Sequence, residues 1–184
     1  GSPSRHRLRR ALGGAEWITL EGERYRVNAA QLEELDATSF EEEVRSAFRA
    51  LKRGDAGASA NLERALARYR GDFLDGEPVG DWSLEHSDRL RKLYVDALML
   101  LASRHEVEER HAKAVEAYGR VLVRDELHEE AVLGLMRSHV AMGERSTAMR
   151  LYQRFAERMR VELDADPCEE TTRFMQQLQR GAPV

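Results

Sequence analysis

Apolar residues recur along most of this chain at spacings of three and four, the period of an amphipathic helix. From Gln31 onward almost nothing interrupts that period. Ser39 followed by Glu42 has the form of a capping box, so a helix is expected to start there, with Phe40, Val44, Ala47, Phe48 and Leu51 as its apolar stripe. Gly54-Asp55-Ala56-Gly57 breaks the pattern, and Leu62, Ala65, Leu66 and Tyr69 open a second helix. After a glycine- and acid-rich insert at 70–80, a long helix is predicted from Asp81 or Trp82, with Leu90, Leu93, Tyr94, Ala97, Leu98 and Leu101 on one face. Three further stripes succeed it: Ala114/Ala117/Tyr118/Val121/Leu122, then Val132/Leu135/Met136/His139/Val140, then Ala148/Leu151/Tyr152/Phe155/Met159. Asp166 is expected to cap a last helix, with Pro167 at its first position and Glu169 at its third.

The first 28 residues obey different rules. Ser4–Leu12 reads as the last turns of a helix, with Leu8 and Leu12 on one side, stopped by Gly13-Gly14. Trp17–Leu20 and Arg24–Val27 then alternate as two short strands around Glu21-Gly22-Glu23, a hairpin pattern. So short a segment cannot bury a core of its own. It belongs to a larger unit or packs on the helices C-terminal to it.

The helical part repeats itself. Ala114-x3-Tyr118 returns as Ala148-x3-Tyr152, and Leu98, Leu101 and His105 return as Val132, Leu135 and His139, each 34 residues later. That is the period of tetratricopeptide repeats, in which a small residue lets two helices approach and an aromatic ring fills the gap. Ala65-x3-Tyr69 reads as an earlier copy displaced by the insert. No helix pair of this kind can bury its own face, so the pairs must stack into a short solenoid.

Composition narrows the function. The chain is 184 residues long with 42% hydrophobic and 34% charged residues, and only 7% aromatic residues and 4 prolines, which favours a helical protein over a sheet. No apolar run approaches the roughly 18 residues needed to span a bilayer, so no membrane partner is expected. Cys168 is the one cysteine; no internal disulfide can form, and a reducing cytoplasm is the expected setting. The net charge of −4 conceals two halves, since residues 1–26 hold six arginines against Glu16, Glu21 and Glu23, a balance of +3 that leaves −7 for the rest. A basic end on an acidic body suggests two tasks. Arg5, Arg9 and Arg10 on the helix end and Arg24 on the hairpin are candidates for phosphate contact, or else a solvated basic surface.

No catalytic set, cofactor motif or metal-ligand spacing is visible. His105 and His139 occupy equivalent repeat positions and read as packing residues. His111 and His128 sit beside turns with no metal spacing to Cys168. Asp125, Glu126, Glu129 and Glu130 read as a solvated, favourably charged helix start. In the insert, Phe73, Leu74 and Trp82 are large apolar groups beside glycines and acids. They are candidates either to plug the joint between the first helix pairs or to meet a partner or another domain.

The run Ala65-Leu66-x2-Tyr69-Arg70-Gly71-Asp72-Phe73-Leu74, with Trp82, Arg89-Leu90 and Asp96-Ala97-Leu98 after it, resembles the bacterial transcriptional activation domain of the Streptomyces antibiotic regulatory proteins. Leu133-x-Leu135-Met136, Gly143, Ala148-x2-Leu151-Tyr152-x2-Phe155, Glu162-Leu163 and Pro167-x3-Thr171 extend the likeness over roughly residues 28–180. In that family an OmpR-like winged-helix domain precedes the helical one. The resemblance therefore implies that Arg7–Leu12 ends a recognition helix and Trp17–Val27 is a C-terminal wing. The helices that precede a recognition helix are absent from this chain, so operator binding is expected of a longer parent protein.

The expectation is an all-α, tetratricopeptide-like domain of about seven helices at 29–184, preceded by a short β-hairpin within a winged-helix remnant at 1–28. It would be no enzyme and would use no cofactor. It would serve transcription activation through protein contacts and oligomerisation, a homodimer included, with DNA bound through the winged helix. The rival reading is a free-standing adaptor that holds a peptide and has no DNA role.

Overall fold

The computed structural model describes the backbone at residues 18–21, 24–27, 29–68 and 81–181, and the side chains at 38–67 and 87–181. Two four-residue strands, β1 (Ile18–Glu21) and β2 (Arg24–Val27), pair antiparallel with Ile18 opposite Val27 and Glu21 opposite Arg24. Seven helices come next among the described residues: α1 (Ala29–Arg53), α2 (Ala58–Arg68), α3 (Asp81–Val107), α4 (His111–Arg124), α5 (Glu129–Ala141), α6 (Arg145–Leu163) and α7 (Glu169–Arg180).

Two helix starts differ from expectation. Ser39 lies inside α1, ten residues beyond its beginning. Ala29, Ala30, Leu32, Glu33, Glu34 and Leu35 are good helix formers, and no Gly or Pro separates them from Ser39, so nothing halts the helix before the apparent capping box. At the other end α7 begins at Glu169 with Cys168 as its N-cap, not at Asp166. The Asp166 carboxylate instead accepts a hydrogen bond from Arg160 at 3.0 Å, and Pro167 is buried just ahead of the cap. The cap signal lost to a run of helix formers in the first place and to a side-chain partner six residues away in the second.

The helices stack in sequence order. α1 packs on α2, both pack on α3, and then α4, α5, α6 and α7 each lie on the helix before. Leu62, Leu66, Leu90 and Leu98 are fully buried where α2 meets α3. A second cluster joins Val132 and Met136 of α5 to Ala148 and Phe155 of α6 and to Met175 and Leu178 of α7. Leu122 and Leu151 touch both clusters, so the core is continuous. α7, the last helix among the described residues, buries Thr171, Met175 and Leu178 against the stack and turns Glu170, Arg173, Gln177 and Arg180 to solvent.

The first helix of each pair ends in the same way. The N–H groups of Asp55, Arg110 and Glu144 bond the carbonyls of Ala50, His105 and His139 at 3.0, 2.8 and 2.8 Å. The N–H groups of Gly54, Glu109 and Gly143 bond those of Leu51, Glu106 and Val140 at 3.0, 2.9 and 2.9 Å. This is the Schellman arrangement, which requires one residue in the left-handed region. Gly54 (φ +77) and Gly143 (φ +81) fit it freely, whereas Glu109 (φ +56) carries a Cβ there. A non-glycine residue in that region costs about 1–2 kcal/mol, partly offset by the unfolded-state entropy of glycine. Glu109→Gly should therefore stabilise the domain by about 0.5–1 kcal/mol and raise the thermal midpoint by about 1–4 °C. A melt of the variant that moves downward would show that the turn is not strained.

Candidate functional site

The residues expected to contact DNA or a partner fall largely beyond the described part of the structure. Arg5, Arg9, Arg10, Phe73 and Leu74 lie outside the described residues. Arg24 is the first residue of β2 and Trp82 the second of α3, with only their backbones described. The described chemistry lies instead at the joints between helices.

The tightest joint lies between α4 and α5. The Tyr118 ring rests on Gly134, close enough that a Cβ at that position would overlap Cζ, Cε2 and the phenol oxygen. The Tyr118 hydroxyl donates to Glu106 Oε2 of α3 at 2.6 Å, and Ser138 Oγ of α5 donates to the other oxygen of Glu106 at 3.4 Å. One aromatic residue thus registers three consecutive helices. Burial first, and then the hydrogen bond and charge of Glu106, push the Tyr118 phenol well above its ordinary range. It stays a hydrogen-bond donor at any working pH and is no acid–base group.

A second joint connects α2, α3 and α4. His105, fully buried, lies with Nε2 3.0 Å from Glu63 Oε1, and Lys113 Nζ reaches both oxygens of Glu63 at 2.9 and 3.3 Å. Burial opposes ionisation of Glu63, but the hydrogen bond and charge of Lys113, helped by His105 and Arg110, outweigh it and hold the carboxyl below its usual range. For His105 burial comes first and Arg110 second; together they outweigh the attraction of Glu63 and lower its pKa. Beside this joint, Arg120 of α4 donates to the Tyr94 hydroxyl of α3 at 2.8 Å and to the Leu66 carbonyl at 3.1 Å, satisfying an end carbonyl of α2. Glu41 of α1, nearly buried, is held by Arg45 of its own helix and by Arg89 of α3 at 3.1 Å.

The other flagged residues take structural places. His128 caps α5, its Nδ1 accepting from the Ala131 N–H at 3.3 Å. His139 pairs through Nδ1 with Glu144 Oε2 at 2.6 Å. In the acidic cluster Asp125 accepts from the Leu127 N–H at 3.1 Å, Glu126 pairs with Arg158, and Glu129 accepts from the Cys168 N–H at 2.7 Å. That last bond ties the start of α7 to the start of α5. Cys168 is exposed, with Sγ 3.4 Å from Thr171 Oγ1. Among the described residues no three His, Cys, Asp or Glu side chains gather as a metal would require. No described helix is long and apolar enough to cross a membrane.

Glu63, Arg120 and Gly134 are the residues that sequence reasoning passed over. The first two sit among surface-type charges, and their partners are 26 to 54 positions away. Gly134 did carry a signal, since a lone glycine inside a helical stripe points to close packing. Gly134→Ala raises intrinsic helix propensity, yet it should destabilise the domain by about 1–3 kcal/mol, because the Tyr118 ring has to leave its seat. A denaturant titration would register this as a lower midpoint; a higher one would mean that the ring is free to move.

A comparison with curated proteins gives no match. Among solved structures, EmbR of Mycobacterium tuberculosis, in complex with a low-affinity phosphopeptide, is similar over 98% of this chain with a TM-score of 0.68 and 20% identity. That likeness concerns the fold, and this chain spans about half, 49%, of the EmbR chain. Residues 35–179, from within α1 to the last turn of α7, match the bacterial transcriptional activator domain. With most of its length in that match, the chain belongs to the bacterial transcriptional activator domain family.

Proposed function

We propose that this chain acts in a transcription activator as the helical part that makes protein contacts, beside a DNA-binding winged helix. The observation that carries the reading is the family match over residues 35–179, which takes in all the described helices except the first turns of α1. The interior supports it: the described polar side chains within the stack are spent on joining helices, as in a scaffold.

Within this reading the paired strands β1 and β2 are the wing, and Arg5, Arg9, Arg10 and Arg24 contribute phosphate contacts. Phe73, Leu74 and Trp82 form a surface toward a partner or another domain of the same regulator. Self-association as a homodimer and a cytoplasmic setting complete the proposal. EmbR is seen with a phosphopeptide; for this chain the reading extends to a protein partner and no further. No observation favours the adaptor reading.

Salt-dependent DNA titration tests the proposal. In the full-length regulator, replacing Arg5, Arg9 and Arg10 by Ala should weaken binding across all sequences and flatten the salt dependence by about one unit of slope per lost contact. A slope unchanged in the triple variant would remove these arginines from the interface.

A further inference from the structure

Two histidines occupy the same place in successive repeats and meet different surroundings. His105 and His139 lie 34 positions apart, each with its carbonyl accepting the bond that closes its helix end. At His139 the ring Nδ1 faces Glu144, the residue just past the left-handed glycine, at 2.6 Å. The equivalent residue past Glu109 is Arg110, a cation that pairs with Glu108. Accordingly His105 Nδ1 is buried with no hydrogen-bond partner, and only Nε2 is engaged, by Glu63 across the helix boundary. In the neutral ring Nε2–H donates to Glu63, and the bare Nδ1 is an acceptor without a donor, a smaller penalty than a buried N–H without an acceptor. A second proton would put an N–H where no acceptor stands.

We infer that the His105–Glu63 contact is a pH-sensitive latch: closed with a neutral ring, it holds the α1–α2 pair against α3 and α4, and protonation at Nδ1 releases that pair. The charged groups facing the ring are Glu63 from α2, Arg110 from the turn between α3 and α4, and Lys113 from α4. Two of the three are cations, so only Glu63 welcomes the imidazolium, and Lys113 already shares that carboxylate. Burial and Arg110 lower the ring's pKa below the ordinary 6.5. Below pH 6.5 the open state therefore takes a proton that the closed joint refuses. The stability is fully present above that pH and is lost as pH falls toward the folded pKa. Over that window the opening equilibrium grows by up to about tenfold per pH unit. Glu63, held below the usual carboxylate range, stays ionised throughout it. The latch is a property of the helical stack and stands whatever precedes α1.

The test is an NMR titration of the His105 ring in the wild-type chain, with hydrogen-exchange protection of α1–α2 and of α5–α7 tracked from about pH 7.5 to about pH 5 and corrected for intrinsic exchange. The latch requires a His105 pKa below the ordinary 6.5 and a loss of protection that is selective for α1–α2. A pKa at or above that value, or an equal loss in α5–α7, overturns it. Two variants sharpen the result. His105→Gln keeps a donor for Glu63 and cannot titrate, so the selective loss should vanish. Arg110→Glu, at an exposed turn, gives Nδ1 the acidic neighbour that His139 has. It should raise the His105 pKa and shrink the selective loss; an unchanged profile in either folded variant counts against the latch.

Discussion

A helix pair with one apolar face cannot exist alone in water, and each pair here becomes stable only when the next one covers it. The contact that fixes how closely they approach is the Tyr118 ring lying on Gly134. Because α5 has no side chain at that point, α4 and α5 come within the thickness of a ring. The phenol can then reach back to Glu106 on α3. The spacing of three helices is therefore set by one residue that is present and one side chain that is absent. Everything C-terminal to it is placed by this step, including the second apolar cluster of α5, α6 and α7.

Apolar burial supplies most of the driving force, at about 1.5–3 kcal/mol for each large side chain removed from water. It does not select a register, since Leu against Leu tolerates sliding. The polar joints do that. Arg120 can reach the Leu66 carbonyl and the Tyr94 hydroxyl only if α4 sits at one height against α2 and α3. Glu129 can accept the Cys168 N–H only if α7 starts beside α5. Breaking one partner of the part-buried Arg120 set leaves the others less well satisfied, and that asymmetry makes the register costly to change.

Helical periodicity and the 34-residue echo were legible because they are local and repeated. They place α2 to α6 and the residues that form the core. Helix starts were less legible: Ser39 and Asp166 carry the chemistry of caps, but a run of helix formers overrode the first and Arg160, six residues away, claimed the second. The joints were the least legible, because a charged residue such as Glu63 shows no sign in its own neighbourhood that its partner lies on another helix. The echo could even mislead. His105 and His139 look interchangeable by spacing, and the difference between them rests on whether residue 110 or 144, five places on, is a cation or an acid.

That divergence bears on how a repeat scaffold acquires control. In a solenoid each repeat answers mainly to its neighbours, so a change confined to one turn alters one interface and leaves the others intact. The second copy has a glycine at its left-handed position and an acid beside its histidine, so its ring is satisfied within its own turn. The first copy has Glu109 and Arg110 in those places, so its turn holds strain and its ring depends on α2. Both departures fall in the turn between α3 and α4, and the histidine of that turn joins the first helix pair to the body that α3 to α7 build. Because His105 is the ring that reaches across to α2, the boundary with the first helix pair is where the scaffold yields first when that ring is protonated.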